Sequence, residues 1–486
     1  MGSRRPTARA TTSSARMALL LLVLLCLPAV SLLLYRHRAK PSTIPLLHPL
    51  SAFTSVPILI PTVLGRRNAT IYRAHLRHGP FVRLSPTEIS FSASTVLSTI
   101  YTSSPKPPWY RIFDNYGVAP MFATLLGREH AARRKVLAGP YSNGAVLKNP
   151  AIKLVAREEL PVLLSGFSAA GGKKVEVWMT FNRLTMDFVT AFLLTRELGS
   201  RFLEGEDMQI LRLYHSRRGY FGVSTELPWL ARWIVPKRIH DANDRIEAWC
   251  RRLCERRLHG EGGEEVCIFD RLAAAAEITD LQAASEMLDH IGAGHETTAL
   301  ALSSTLAALS ARPELQKQLR RSLEPFVEAR DGWRLPRGDG DGLEENSLLN
   351  AIIKESLRLY TPIPGSQPRV VIRDMDILGH FVPAGTVISA QAYSLHRDPT
   401  VWKQAERFMP ERWLEGDTTE MERAWWPFGS GGRGCIGRNL AMWEMRMVLA
   451  AIYANFETES SSSPEGTDSY ITSPVEERVE VVFARV

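Results

Sequence analysis

Residues 281–311 carry one uninterrupted helical pattern, closed by Pro313. At 1.5 Å per residue that helix would be roughly 45 Å long, too long for a routine surface helix. About 150 residues per domain would divide the 486 residues into about three domains. Yet no internal repeat and no interdomain linker breaks the chain. Helical patterns recur at 128–138, 151–164, long stretches of 176–258, 347–359 and about 436–455. Short β-like pieces, bounded by Gly or Pro, are expected at 68–100 and 369–390, and a Gly-rich polar loop at 331–342. The expectation is one large, mainly α domain with a minor β region. A composition of 45% apolar and 23% charged residues excludes a disordered or fibrous chain.

The net charge of +8 is misleading. Seven basic residues (Arg4, Arg5, Arg9, Arg16, Arg36, Arg38, Lys40) and no acid fall within residues 1–40, so the remainder balances 52 basic against 51 acidic groups. A nucleic-acid binder carries its excess charge on the folded domain; here it surrounds an apolar run from Met17 to Tyr35 that contains Pro28. A bilayer needs about 20 such residues. A cleaved secretory signal is the alternative, but the run continues through Leu32, Leu33 and Leu34 into Arg36-His37-Arg38. Basic residues at both ends leave the orientation rule undecided. The expected division is a basic tail at 1–16, a transmembrane signal-anchor at 17–35, a Pro-containing connector at 36–67 and a catalytic domain at 68–486.

Five cysteines, Cys26, Cys250, Cys254, Cys267 and Cys435, are too few and too scattered for a disulfide framework. They suit a reducing compartment, in which the Asn68–Thr70 sequon goes unused. Cys250, Cys254, His259 and Cys267 match no common zinc spacing and read as structural.

Chemistry concentrates in four places. Phe428-Gly-Ser-Gly-Gly-Arg433-Gly-Cys435-Ile-Gly437 runs directly into a helix. Free backbone N–H groups and the helix dipole at that mouth favour thiolate over thiol. A thiolate in a glycine-walled loop suits ligation of a flat haem iron, and Arg433 could meet a propionate. The second place is Ala293-Gly294-His295-Glu296-Thr297-Thr298 in the middle of the long helix. Gly292 and Gly294 each cost about 1 kcal/mol relative to Ala, which invites a local distortion that would admit dioxygen and water; small-residue packing at a helix crossing is the other reading. Glu296 and Thr297 would supply an acid and a hydroxyl for proton delivery. The third is Glu355-Ser-Leu-Arg358, either a surface salt bridge or, joined to Arg412 and Trp413, a structural charge network. The fourth is His130 with Arg134 on one helical face, which taken alone is a solvated basic helix.

These residues together resemble the cytochrome P-450 family of haem-thiolate monooxygenases, in particular the membrane-anchored microsomal class of filamentous fungi. The haem-loop pattern matches at Phe428, Gly431, Arg433, Cys435 and Gly437, and the oxygen-activation pattern at Ala293, Gly294, Glu296, Thr297 and Thr298. Glu355 with Arg358, and Pro410-Glu411-Arg412, match two further elements. His75–Phe91 and Phe113–Ser142 are also similar to fungal members. Trp413 stands where Phe is commoner, and His130 where many relatives have Trp.

The resemblance implies a mainly α prism with a haem b between the long helix and the cysteine loop. It implies Cys435 as the axial iron ligand and His130, Arg134, Arg369 and Arg433 as propionate contacts. Electrons would come from NADPH through a separate cytochrome P-450 reductase, with cytochrome b5 as an optional second donor, and one atom of dioxygen would enter a C–H or C=C bond. Arg133, Arg134, Lys135, Arg438 and Arg446 would face that acidic partner. The enzyme would sit in the endoplasmic reticulum membrane as a single-pass protein with a cytosolic catalytic domain, and no nucleic acid partner is expected. Pocket walls at Trp109–Phe122, His290–Ala293, Ile363–Gln367 and Tyr470–Thr472 suit a hydrophobic small molecule: a terpenoid, polyketide or alkaloid intermediate of fungal secondary metabolism. Two alternatives are a haem-thiolate isomerase or dehydratase needing no reductase, and a non-catalytic haem-binding membrane protein. Deleting residues 1–36 should leave haem loading intact while weakening membrane association and reductase coupling; fractionation with a haem assay checks this, and loss of haem would make the N-terminus part of the fold.

Overall fold

In a computed structural model the described residues are 43–205 and 208–486. The expected basic tail and membrane span lie outside them, and no helix among the described residues is long and apolar enough to cross a membrane. The protein is mostly helical with small sheets, as expected.

The long helix spans Asp280–Ser310. A capping box starts it: Gln282 N–H donates to the Thr279 hydroxyl at 3.3 Å, and Thr279 N–H to Gln282 Oε1 at 2.9 Å. Pro313 begins the next helix. From Ala299 to Leu309 every residue is buried, which places the helix in the main apolar core. The expected central distortion does not interrupt it. Gly294 instead serves close packing, since a Cβ there would stand 2.6 Å from Val189 Cγ2 on the Val177–Leu193 helix. The Thr185 hydroxyl on that neighbour donates to the His295 carbonyl at 2.8 Å and fixes the same crossing.

The largest sheet has the order Phe81–Arg83, Glu88–Phe91, Val387–Gln391, Ser366–Val370, with its central pair parallel and its outer pairs antiparallel. The β-like reading of residues 68–100 holds only for its middle. Arg67–His78 is a helix because Asn68, Ile71, Ala74 and His75 recur on one buried face, and Gly79, at φ +90°, closes it. Leu97–Ser103 is helical as well. The Gly-rich loop at 331–342 contains the strand Trp333–Pro336, paired with Val327–Arg330. Within 36–67, Ile44 is buried, Leu46 bridges to Arg83 and Val56–Val63 forms a helix. Asn68 is buried, with its side chain donating to Ser469 O at 2.9 Å, so the sequon is closed to a glycan in the fold.

Glu355 and Arg358, on the helix Ser347–Leu359, are fully buried and joined by two bonds of 2.8 and 3.0 Å. Arg358 also donates to the carbonyls of His396, Ala405 and Arg407. Glu355 accepts from Arg412 Nε at 3.1 Å, Met409 N–H at 3.0 Å and Trp413 Nε1 at 2.9 Å. A buried ion pair is tolerable when its remaining donors and acceptors are met in this way. Phe at 413 could not make the third of those bonds. Trp413→Phe should therefore cost about 1–2 kcal/mol, and Arg358→Ala, which strands the Glu355 charge, about 3–5 kcal/mol; urea unfolding of the haem-loaded protein, with haem counted per chain, measures both.

Candidate active site

One internal cavity of about 1530 Å³ runs between the long helix, the cysteine loop and the sheet. Its walls bring together Cys435, Phe428, Arg433, Gly437, His130, Arg134, Arg369, Ala293, Gly294, Glu296 and Thr297. Trp109, Phe113, Phe122, Ile363 and Tyr470, from the segments expected as pocket walls, line it too. Glu355, Arg358 and Arg412 lie away from it, behind the cysteine loop. Gly431 does not line it. At φ +67°, with a Cβ position 3.1 Å from the Tyr101 carbonyl, it lets the loop turn closely over a neighbouring helix.

Cys435 opens onto the cavity just before the helix Arg438–Asn455, and its N–H donates to Phe428 O at 2.8 Å. The other described cysteines, Cys250, Cys254 and Cys267, are buried and away from the cavity. The sequence led us to expect a favoured thiolate. Burial in fact pushes the thiol up, against the Gly437 and Arg438 N–H groups and the Arg134 and Arg438 guanidiniums, which pull it down. The helix mouth is present, but desolvation outweighs it and the two guanidiniums together.

Across the rim the charge deficit has the opposite sign. Arg433 donates to the carbonyls of Thr124 and Leu125, and Arg134 to Gly434 O at 2.8 Å. Arg369 meets Tyr110 Oη at 3.1 Å and Pro368 O at 2.8 Å, while its buried Nε has no partner. Lys106 lies over the rings of Tyr110 and Phe122 and donates to Phe122 O. Desolvation and the neighbouring cations lower Lys106, bring Arg433 down to about 10 and His130 to about 3. Only neutral carbonyls, rings and a hydroxyl satisfy this wall, a set of mutually repelling cations that suits a group carrying two carboxylates. An open thiol on one side and a cation wall at the rim fit a haem. Lys106 escaped sequence reading, because Pro105-Lys106-Pro107 matches no local signal.

On the opposite wall the Thr297 hydroxyl donates to the Ala293 carbonyl at 2.7 Å, which leaves its lone pairs toward the cavity. Glu296 is ion-paired to Arg218, a partner that no sequence pattern marks. Arg133, expected on the electron-partner face, instead turns inward, pairing with the buried Glu286 at 3.1 Å and donating to the Ala119 carbonyl. Arg446 is largely engaged with Asn350, whereas Lys135 and Arg438 remain exposed.

The cytochrome P-450 family profile matches residues 57–476, and the chain belongs to that family. It is similar to the cytochrome P-450 monooxygenase FGM1 of Gibberella zeae, 29% identical over 92% of each chain. It is also similar to the monooxygenase stcF of Emericella nidulans, at 27% over 85% of this chain and 89% of that one. Averantin hydroxylase of Dothistroma septosporum is 26% identical over 88% of this chain and 84% of its own. The protein is thus a monooxygenase with a haem-thiolate cofactor, supplied with NAD(P)H-derived electrons by a reductase. Cys435→Ser should abolish the thiolate-type carbon-monoxide difference spectrum and all turnover, because a hydroxyl does not ionise at neutral pH; a retained spectrum would assign the ligand elsewhere.

Proposed function

We propose that this monooxygenase hydroxylates or epoxidises a bulky, mainly apolar small molecule of fungal secondary metabolism, of terpenoid, polyketide or alkaloid type. The observation carrying this reading is the cavity that Cys435, Thr297 and aromatic and aliphatic side chains line together. The names of relatives such as averantin hydroxylase support a role in such metabolism. In this reading Cys435 would hold the haem iron, and His130, Arg134, Arg369 and Arg433, joined by Lys106, would hold the propionates. Bound haem supplies the reductive activation of dioxygen and the cleavage of its O–O bond.

The protein's own part is positioning and proton supply. Thr297, tied to the Ala293 carbonyl, holds a water by its free lone pairs, and Glu296 passes protons inward when its pairing with Arg218 loosens. The Glu355–Arg358–Arg412 network keeps the cysteine loop in place. Lys135 and Arg438 offer positive charge to the acidic face of the reductase. The 17–35 span would anchor the protein in the endoplasmic reticulum membrane with its catalytic domain in the cytosol. The exposed apolar residues Val56, Ile60, Val63 and Leu64 support contact of the domain itself with the bilayer.

Thr297→Ala should leave haem loading, substrate binding and reduction nearly intact, since Ala keeps helix propensity high. NADPH oxidation should continue while product falls and hydrogen peroxide rises. Glu296→Gln should slow the whole cycle. Product and peroxide formed per NADPH at saturating substrate are the measurement, and unchanged coupling in Thr297→Ala would remove that hydroxyl from proton delivery.

A further inference from the structure

Asp289 faces the cavity from the long helix and forms no hydrogen bond or ion pair with any described residue. It stands in one row with Ala293 and Thr297 at i, i+4 spacing, and all three line the cavity. Beside it are two further acceptors. Ligand atoms of Glu286, Asp289 and His290 all lie within 4.8 Å of one another. Glu286 is buried behind the cavity wall, taking the Met121 N–H at 2.8 and 2.9 Å and Arg133 at 3.1 Å. His290 is 6% exposed, its Nδ1 is 2.8 Å from the Tyr141 hydroxyl, and its Nε2 has no hydrogen-bond partner. That orphaned Nε2 is 4.0 Å from Glu286 Oε2.

Two occupants, an ammonium and a divalent cation, suit such a set of acceptors. Acceptors held about 2.8 Å from one ammonium nitrogen at tetrahedral angles stand about 4.6 Å apart. Ligands about 2.1 Å from a zinc ion stand about 3.4 Å apart. The 4.0 Å between His290 Nε2 and Glu286 Oε2 falls between the two, and the ammonium is favoured because Arg133 already offsets part of the acidic charge a divalent ion would require.

We propose that Asp289, with His290 Nε2 beside it and Glu286 behind it, seats a protonated amine of the substrate, so that the molecule oxidised is a basic, alkaloid-like one. This rests on reading the cavity as the substrate chamber of the monooxygenase. Burial, then the adjoining Glu286, pushes Asp289 up to about 8, and Lys106 pulls it back only from a distance. A bound ammonium would hold the carboxylate ionised, each charge offsetting the other's desolvation. Burial lowers His290 to about 4 and keeps its ring neutral. In the tautomer that donates Nδ1–H to the Tyr141 hydroxyl, Nε2 presents a lone pair to the amine. Asp289 and Thr297 are eight residues apart, roughly 12 Å along the helix. The oxidised carbon should therefore lie on the order of 10 Å from the nitrogen, well beyond its α-carbon.

The test uses the full-length, haem-loaded protein with decylamine and 1-decanol as probes, read by Soret difference spectra. If Asp289 holds the amine, the alkyl chain points to the haem, so decylamine gives the blue-shifted spectrum of displaced water and binds at least about tenfold more tightly than decanol. Asp289→Asn should lose that preference and give the red-shifted spectrum of a nitrogen on iron, while Asp289→Glu should retain the preference. Equal affinities for the two probes in the unmodified protein, or a red-shifted decylamine spectrum there, overturn the proposal. So does stoichiometric zinc binding by calorimetry that Asp289→Asn abolishes, which would make the cluster a metal site. The carbon-monoxide spectrum separates the levels of failure. An intact thiolate signature without amine preference sinks this inference alone, whereas its absence sinks the monooxygenase reading and the inference together.

Discussion

The crossing of the long helix and the Val177–Leu193 helix at Gly294 sets where the rest of the site can stand. A Cβ at 294 would collide with Val189, so only glycine permits this approach, and the Thr185–His295 bond fixes the rotation of the long helix about its own axis. A helix so fixed turns one row, Asp289, Ala293 and Thr297, into the cavity. The glycine costs about 1 kcal/mol of helix propensity. That penalty is small beside the apolar burial gained along a helix that is buried throughout from Thr298 to Leu309.

Two opposite deficits of charge face each other across the cavity. The rim gathers Lys106, Arg134, Arg369 and Arg433 with no carboxylate ion-paired to them among the described residues, and burial raises the Cys435 thiol despite the Arg134 and Arg438 guanidiniums that pull it down. An iron porphyrin carries a cation at its centre and carboxylates at one edge. The same rigid group therefore answers both deficits, and the distance between them is set by the protein alone.

The long helix, the Ser347–Leu359 helix and the helix after Cys435 were legible because their patterns are long, and the first two also carry side-chain caps at their N-termini. The residues of the haem loop were legible because few folds need Phe, two glycines, Arg and Cys at those spacings. Arg67–His78 was misread, since Thr70, Ile71 and Tyr72 favour strand locally while the buried face at helical spacing is set by what packs against it. Lys106, Arg218 and the inward turn of Arg133 could not be found from the sequence at all. Lys106 is set by rings and a carbonyl that no local pattern marks, and the other two by partners far away in the chain, Arg218 by Glu296 and Arg133 by Glu286.

The unbalanced rim also links folding to cofactor supply. A cluster of like charges in a poorly screened interior raises the free energy of the empty protein, and a ligand that binds only the folded state returns stability by mass action, about 2.7 kcal/mol at a hundredfold excess over its dissociation constant. Abundance of this enzyme in a cell should then follow the haem available to the nascent chain. Substitutions far from the cavity would imitate haem-binding defects simply by lowering the folded fraction, and a richer haem supply would hide them.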